Sequence, residues 1–182
     1  MFRFLKTLLR WQLGKLRAMS RSAFLGYPSV IVVSGGGSGT TTFIRHLSKY
    51  CTTNSDSDRD GLKHRLTIPH RAVSRGSRVV YVRSDVETQI ASLRRRGTLR
   101  FQAIKIGGFR AAVVDGLDLE AHLSDLIETQ RRNFEQNSGP SVLVADFPDF
   151  LGEPGAAGAI PSARAHEFRR HNAGFPATKL IS

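Results

Sequence analysis

Only one cysteine, Cys51, occurs in the 182 residues. That excludes an intramolecular disulfide and a cysteine-rich metal centre, and it is compatible with a reducing compartment. Acidic residues are scarce. Fifteen Asp and Glu stand against 27 Lys and Arg, leaving a net charge of +12, and none precedes Asp56. The deficit draws the chain toward anionic partners and does not select among nucleic acid, an anionic membrane and a charged small molecule. Long apolar runs are missing as well. The N-terminal apolar stretches are too short and too often broken by charge to span a bilayer, and recurring charges make them a poor secretory signal. There is no internal repeat and no RNA-recognition aromatic motif, which makes nucleic acid the weaker partner class. At 40% hydrophobic residues, the length suits one domain with a real core.

What is present is concentrated around residues 29–45. The β-branched run Val30-Ile31-Val32-Val33 stops at Ser34-Gly35-Gly36-Gly37, and Ser38-Gly39-Thr40-Thr41-Thr42 leads into a helical pattern. The short run reads as a buried parallel strand. Glycines let a backbone curl and aim successive N–H groups at one point. A helix N-terminus behind them adds unpaired amides and partial positive charge. Strand, glycines, hydroxyls and helix in this order describe a phosphate cradle, with a plain tight turn as the alternative. The loop departs from GxxxxGK[ST]: Ser34 replaces the first glycine, and Thr40, not lysine, follows the last.

Along the chain, residues 1–27 read as a basic amphipathic helix and linker, 28–151 as the domain, and 152–182 as a loosely structured basic tail. In the first segment Phe2, Leu5, Leu9, Leu13 and Leu16 recur at helical spacing, with Arg3, Lys6, Arg10 and Arg17 on other faces. Three readings stand for it: an extra helix packed on the domain, a helix lying on a membrane surface, or an Arg-rich targeting segment. A helix is expected over 42–50. The polar stretch 51–61 holds Asp56, Asp58 and Asp60 at alternate positions. Gly61 suits a calcium loop and Lys63-His64-Arg65 does not, so a flexible loop over the cradle is the reading adopted. Arg78-Val79-Val80-Tyr81-Val82-Arg83 is a second strand. Ser84 and Glu87 then form a capping box for a helix running to Arg96 and stopped by Gly97. Residues 98–116 are ambiguous, with a short strand at Ala111-Ala112-Val113-Val114 and a turn at Asp115-Gly116. A helix over 117–136 carries the stripe Leu119, Leu123, Leu126, Ile127 and Phe134, and a third strand covers 141–146. This alternation predicts an α/β domain, a parallel sheet with flanking helices. Ligands of such sheets sit beyond the carboxyl ends of the strands, the edge that carries loop 35–41, Arg83 and Asp146.

Taken in order, these segments resemble the sulfotransferase branch of the P-loop proteins. Gly37-Ser38-Gly39-Thr40-Thr41 matches that family's Lys-Ser-Gly-Thr-Thr loop except that Gly37 stands at the lysine. Val79-Val80-Tyr81-Val82-Arg83-Ser84-Asp85 resembles its strand that ends in arginine and leads through an acidic turn to a helix bearing serine. Here that serine is Ser92, slightly later than the pattern has it. Lys63-His64 resembles the basic segment that holds the catalytic histidine, with His70 a second candidate. Val142-Leu143-Val144-Ala145-Asp146-Phe147 resembles the later strand ending in an acidic residue. The likeness covers residues 29–150. Phe168-Arg169-Arg170 near Gly174 is a poor counterpart of the family's C-terminal donor motif.

The resemblance implies a P-loop nucleoside triphosphate hydrolase-like fold and a transferase. That enzyme moves a sulfuryl group from 3′-phosphoadenosine 5′-phosphosulfate to a hydroxyl or amine, with no metal. It implies that Gly35, Gly36, Gly37, Ser38, Gly39, Thr40 and Thr41 bind the 5′-phosphate. It further implies that Arg83 and Ser92 bind the 3′-phosphate and that His64 removes the acceptor proton. With Gly37 at the lysine position, Lys63 or Arg45 has to supply the missing cation. The acceptor stays open. The expected location is cytoplasmic, peripheral at a membrane surface if residues 1–17 lie on one. Two rivals remain: a P-loop kinase or NTPase with Asp146 holding Mg²⁺, and a catalytically dead basic binding domain that kept a degenerate loop. Without the resemblance, His64 is an ordinary loop histidine and Arg83 a salt-bridge arginine.

Overall fold

The computed structural model describes residues 26–108 and 118–147, together with helical positions 9, 12–14, 16 and 20. The strand expected at 111–114, its following turn, the tail 152–182 and most of the first 25 residues lie outside the described residues. The elements run β1 (Val30–Val33), α1 (Thr40–Leu47), α2 (His70–Val73), β2 (Arg78–Arg83), α3 (Val86–Arg95), α4 (Leu99–Gly107), α5 (Leu119–Glu135) and β3 (Val142–Asp146). The strands form a three-stranded sheet in the order β1-β2-β3. Both pairings are parallel, with Val30 opposite Arg78 and Arg83 opposite Asp146. The fold class is therefore α/β.

Central β2 is apolar from Val79 to Val82 and buried on both faces, as a parallel strand covered by helices requires. Alternate residues serve opposite layers. Val30, Val32, Val80 and Val82 pack with Phe43, Ile44 and Leu47 of α1. Ile31, Val33, Val79, Tyr81 and Val142 meet Ala72 of α2 and Phe134 of α5, and Tyr81 stacks on Phe134 with ring centroids 4.8 Å apart. A third cluster joins α3, α4 and α5 through Ile90, Leu93, Ala103, Ile106, Leu123 and Ile127. Emptying one of these positions by large-to-small substitution would cost about 2–5 kcal/mol.

Several expectations are corrected in detail. The first helix starts at Thr40 and ends at Leu47. The cap of α3 is Asp85, whose carboxylate accepts the Thr88 N–H; Ser84 is buried one residue earlier and its Oγ has no partner among the described residues. Carboxylate and hydroxyl both cap well, and the one placed at Ncap wins. The ambiguous stretch contains a full helix, α4. Its burial is not a clean stripe, with Gln102, Ala103, Ile104 and Ile106 all inside, so periodicity did not reveal it. Residues 51–61 do not form a loose flap. Thr53 bridges Val30 in parallel, and the Asn54 side chain donates to Val32 O at 3.0 Å and accepts Val32 N–H at 2.8 Å. This polar run thus stands in for a neighbouring strand along β1.

Candidate functional site

Beyond β1 the backbone leaves the sheet at Ser34, and its polar groups are taken up in a definite way. Ser34 N–H donates to Lys63 O at 2.9 Å. Ser34 O accepts His64 Nδ1–H at 2.8 Å, and Gly35 O accepts the Gln102 amide at 2.8 Å. Thr40 Oγ1 lies 2.6 Å from Ser34 Oγ and 3.0 Å from Ser38 Oγ, and Gly36 N–H reaches Ser34 Oγ. Side chains therefore hold the loop's first carbonyls and hydroxyls. Among the described residues no hydrogen bond engages the amides of Gly37, Ser38 or Gly39. They precede α1, whose Ncap Gly39 supplies no side-chain cap. Unpaired amides at a helix N-terminus are an anion's natural ligands.

Two glycines are required here. Gly39 has φ +65°, and a Cβ there would collide with the Phe147 ring. Gly37 has φ +77°, and a Cβ would stand 3.2 Å from both Cα and O of Gln89. A lysine at position 37 is thus opposed by backbone conformation and by the α3 backbone behind it.

The cation arrives from elsewhere. Lys63 Nζ donates to Thr41 Oγ1 at 2.7 Å, bridging 22 residues of chain, and to Asp56 O at 2.8 Å. The side chain is buried, and desolvation lowers its pKa to about 8. Its neighbour His64 is buried too, and desolvation brings its pKa down to about 4, so the ring is neutral near pH 7. Because Nδ1–H is committed to Ser34 O, the lone pair resides on Nε2. Asp58, at φ 58°, is buried as well. One of its oxygens accepts Lys63 N–H at 3.1 Å, and the other pairs with Lys105 Nζ at 3.1 Å. Lys105 Nζ also lies 4.9 Å from the Phe101 ring centroid, a cation–π distance.

These groups surround a cavity of about 420 Å³. Gly36, Gly37, Gly39, Thr40, Thr41, Lys63, His64 and Ser92 all line it, so eight of the residues singled out from sequence come together. Gly35 and Ser38 are buried, as supports off the cavity lining. Arg45 is not brought in: its side chain is 71% exposed and its Nε pairs with Asp56 at 2.8 Å. Arg83 also stands apart. Its Nε and Nη2 grip Asp146, its Nη1 meets Glu135 at 2.7 Å, and it is not on the cavity lining. The two carboxylates raise its pKa. The second candidate histidine, His70, opens α2 and is exposed, off the lining.

Sequence reasoning missed the α3–α4 wall of the cavity: Arg96, Thr98, Phe101, Gln102 and Lys105. Arg96 donates its Nε to Ser92 O at 3.1 Å, and no described partner engages its terminal guanidinium nitrogens. Its position after α3 reads in sequence as a dipole-matched helix end, a role equally true of Arg94 and Arg95. Arg94 is paired with Glu120. No family model, curated protein or solved structure matches this chain.

Proposed function

We propose that the chain is a P-loop sulfotransferase-like protein whose loop cation is Lys63. The donor's 5′-phosphate end is read onto the amides of residues 37–41 and the Lys63 ammonium. Its 3′-phosphate is read onto Ser92 and Arg96, because Arg83 already serves two carboxylates. The observation that carries this reading is the Lys63 Nζ–Thr41 Oγ1 contact at the mouth of the loop. It brings a cation to a loop whose residue 37 is glycine. The donor would supply an activated sulfuryl group. His64 Nε2 accepts a proton from an acceptor hydroxyl or amine, and Lys63 holds negative charge at the loop. A pKa near 4 makes His64 a weak base in the ligand-free chain; anionic charge entering the cavity would raise it. The single cysteine is a free thiol, which is compatible with the cytoplasmic location this reading expects.

The kinase or NTPase reading needs Asp146 for Mg²⁺, and Arg83 binds that carboxylate through both of its oxygens. The discriminating experiment is calorimetric titration of the full chain with 3′-phosphoadenosine 5′-phosphate and with ATP, each with and without Mg²⁺. The expected result is binding of the bisphosphate independent of Mg²⁺. Binding of ATP alone, and only with Mg²⁺, overturns the sulfotransferase reading in favour of the kinase.

A further inference from the structure

The described positions of the N-terminal segment are helical, and three of its leucines face solvent. Leu9, Leu13 and Leu16 are 62%, 46% and 60% exposed. At 3.6 residues per turn they share one face. Gly14 lies well round the helix from them, and a Cβ there would stand 3.3 Å from Arg59 O. The helix therefore rests its Gly14 side on the segment that carries Asp56 and Asp58 to the cavity. It turns its leucines away from the domain. Exposed leucines in a row at i, i+4 and i+7 lose hydrophobic free energy unless something covers them.

Charge identifies the cover. The first 25 residues contain Arg3, Lys6, Arg10, Lys15, Arg17 and Arg21 and no acidic residue. An apolar strip flanked by basic residues fits a surface that is itself apolar below and anionic above. Among the described residues no helix is long and apolar enough to cross a membrane. We propose that Leu9, Leu13 and Leu16 insert into the interface of an anionic lipid bilayer, anchoring the domain there as a peripheral protein. This inference is independent of the chemistry proposed for the cavity.

The test is co-sedimentation of the full chain with phosphatidylserine–phosphatidylcholine vesicles and with phosphatidylcholine vesicles. Wild type should bind the anionic vesicles at least about tenfold more tightly, with the difference shrinking in high salt. The triple variant Leu9→Glu, Leu13→Glu, Leu16→Glu should lose that binding with an unchanged far-UV spectrum. Should that variant misfold, the double variant Lys6→Glu, Arg10→Glu removes two basic charges of the same sequence segment and should lose binding by about tenfold or more. Equal binding to both vesicle types, or full retention of binding by the folded variants, overturns the proposal. A wild-type dimer that ignores vesicles and becomes monomeric in the triple variant also overturns it, because the face then belongs to a second copy of the chain.

Discussion

Lys63 and Arg83 are both cations beyond the carboxyl ends of the strands, and the fold treats them in opposite ways. Arg83 is engaged by Asp146 and by Glu135, which Arg131 also meets, so its charge is already matched by carboxylates. Lys63 makes its side-chain bonds to a hydroxyl and a backbone carbonyl, so its charge is desolvated without a carboxylate bound to its ammonium. A buried cation in that state is costly, and its lowered pKa records the cost. An anion at the loop would relieve it. The arginine expected at the donor is engaged in holding β2, α5 and β3 together, while the lysine expected to supply the loop's cation does reach the loop, at Thr41.

The widest gap between the two should appear on truncation. Lys63→Ala removes a charge-assisted contact of roughly 1.5–3 kcal/mol and should weaken 3′-phosphoadenosine 5′-phosphate binding by about one to two orders of magnitude. Arg83→Ala in the same calorimeter should leave affinity within about threefold. It should lower stability by about 1 kcal/mol, because its pairs are partly solvated and screened. A comparable affinity loss for Arg83→Ala would return the 3′-phosphate to that residue.

pH sharpens the contrast next. Lys63 is charged below its pKa of about 8 and neutral above it. Affinity for the bisphosphate should therefore fall as pH rises through that value, by up to about tenfold per pH unit. Lys63→Arg should keep the affinity flat over the same range. A flat wild-type profile would show that Lys63 holds no ligand charge. His64 acts with its own sign on stability. Its folded pKa of about 4 lies below the ordinary 6.5, so the unfolded chain takes up the proton first. Denaturant-derived stability should decline as pH drops from 6.5 toward 4, and His64→Gln should flatten that decline.

A smaller effect tests the loop itself. Gly37→Lys places a lysine where the resemblance to sulfotransferases expects one, yet φ and the α3 backbone oppose it. Thermal denaturation should show a loss of roughly 1–3 kcal/mol, with no gain in anion affinity. Tighter binding at unchanged stability would mean that the loop can accommodate a lysine of its own.

Much of this was legible in the sequence because local chemistry agreed with the global fold. The apolar runs at Val30–Val33 and Arg78–Arg83 and the stripe of Leu119–Glu135 mark the sheet and its main helix without ambiguity. The glycine–hydroxyl loop marks the edge where the cavity forms. What was not legible depends on contacts across the chain. Nothing near Lys63 says that its ammonium reaches Thr41, and nothing near Arg83 says that Glu135 and Asp146 close on it. The α3–α4 wall was hidden because α4 buries Gln102, whose amide serves a loop carbonyl 67 residues away, and a buried glutamine reads as an exposed one. The polar run 51–61 read as a flexible loop for the same reason: the polarity of Asn54 within it is spent on the Val32 backbone.

The claim at the centre of this account is that Lys63 is the loop's cation, and the most direct measurement is its own titration. Heteronuclear NMR of the Lys63 side chain can follow its pKa in the free chain and at saturation with 3′-phosphoadenosine 5′-phosphate. The expected value is about 8 in the free chain, with a clear rise when the anion binds, since a neighbouring negative charge favours the ammonium. An identical Lys63 titration in both states, with other resonances reporting saturation, would contradict it.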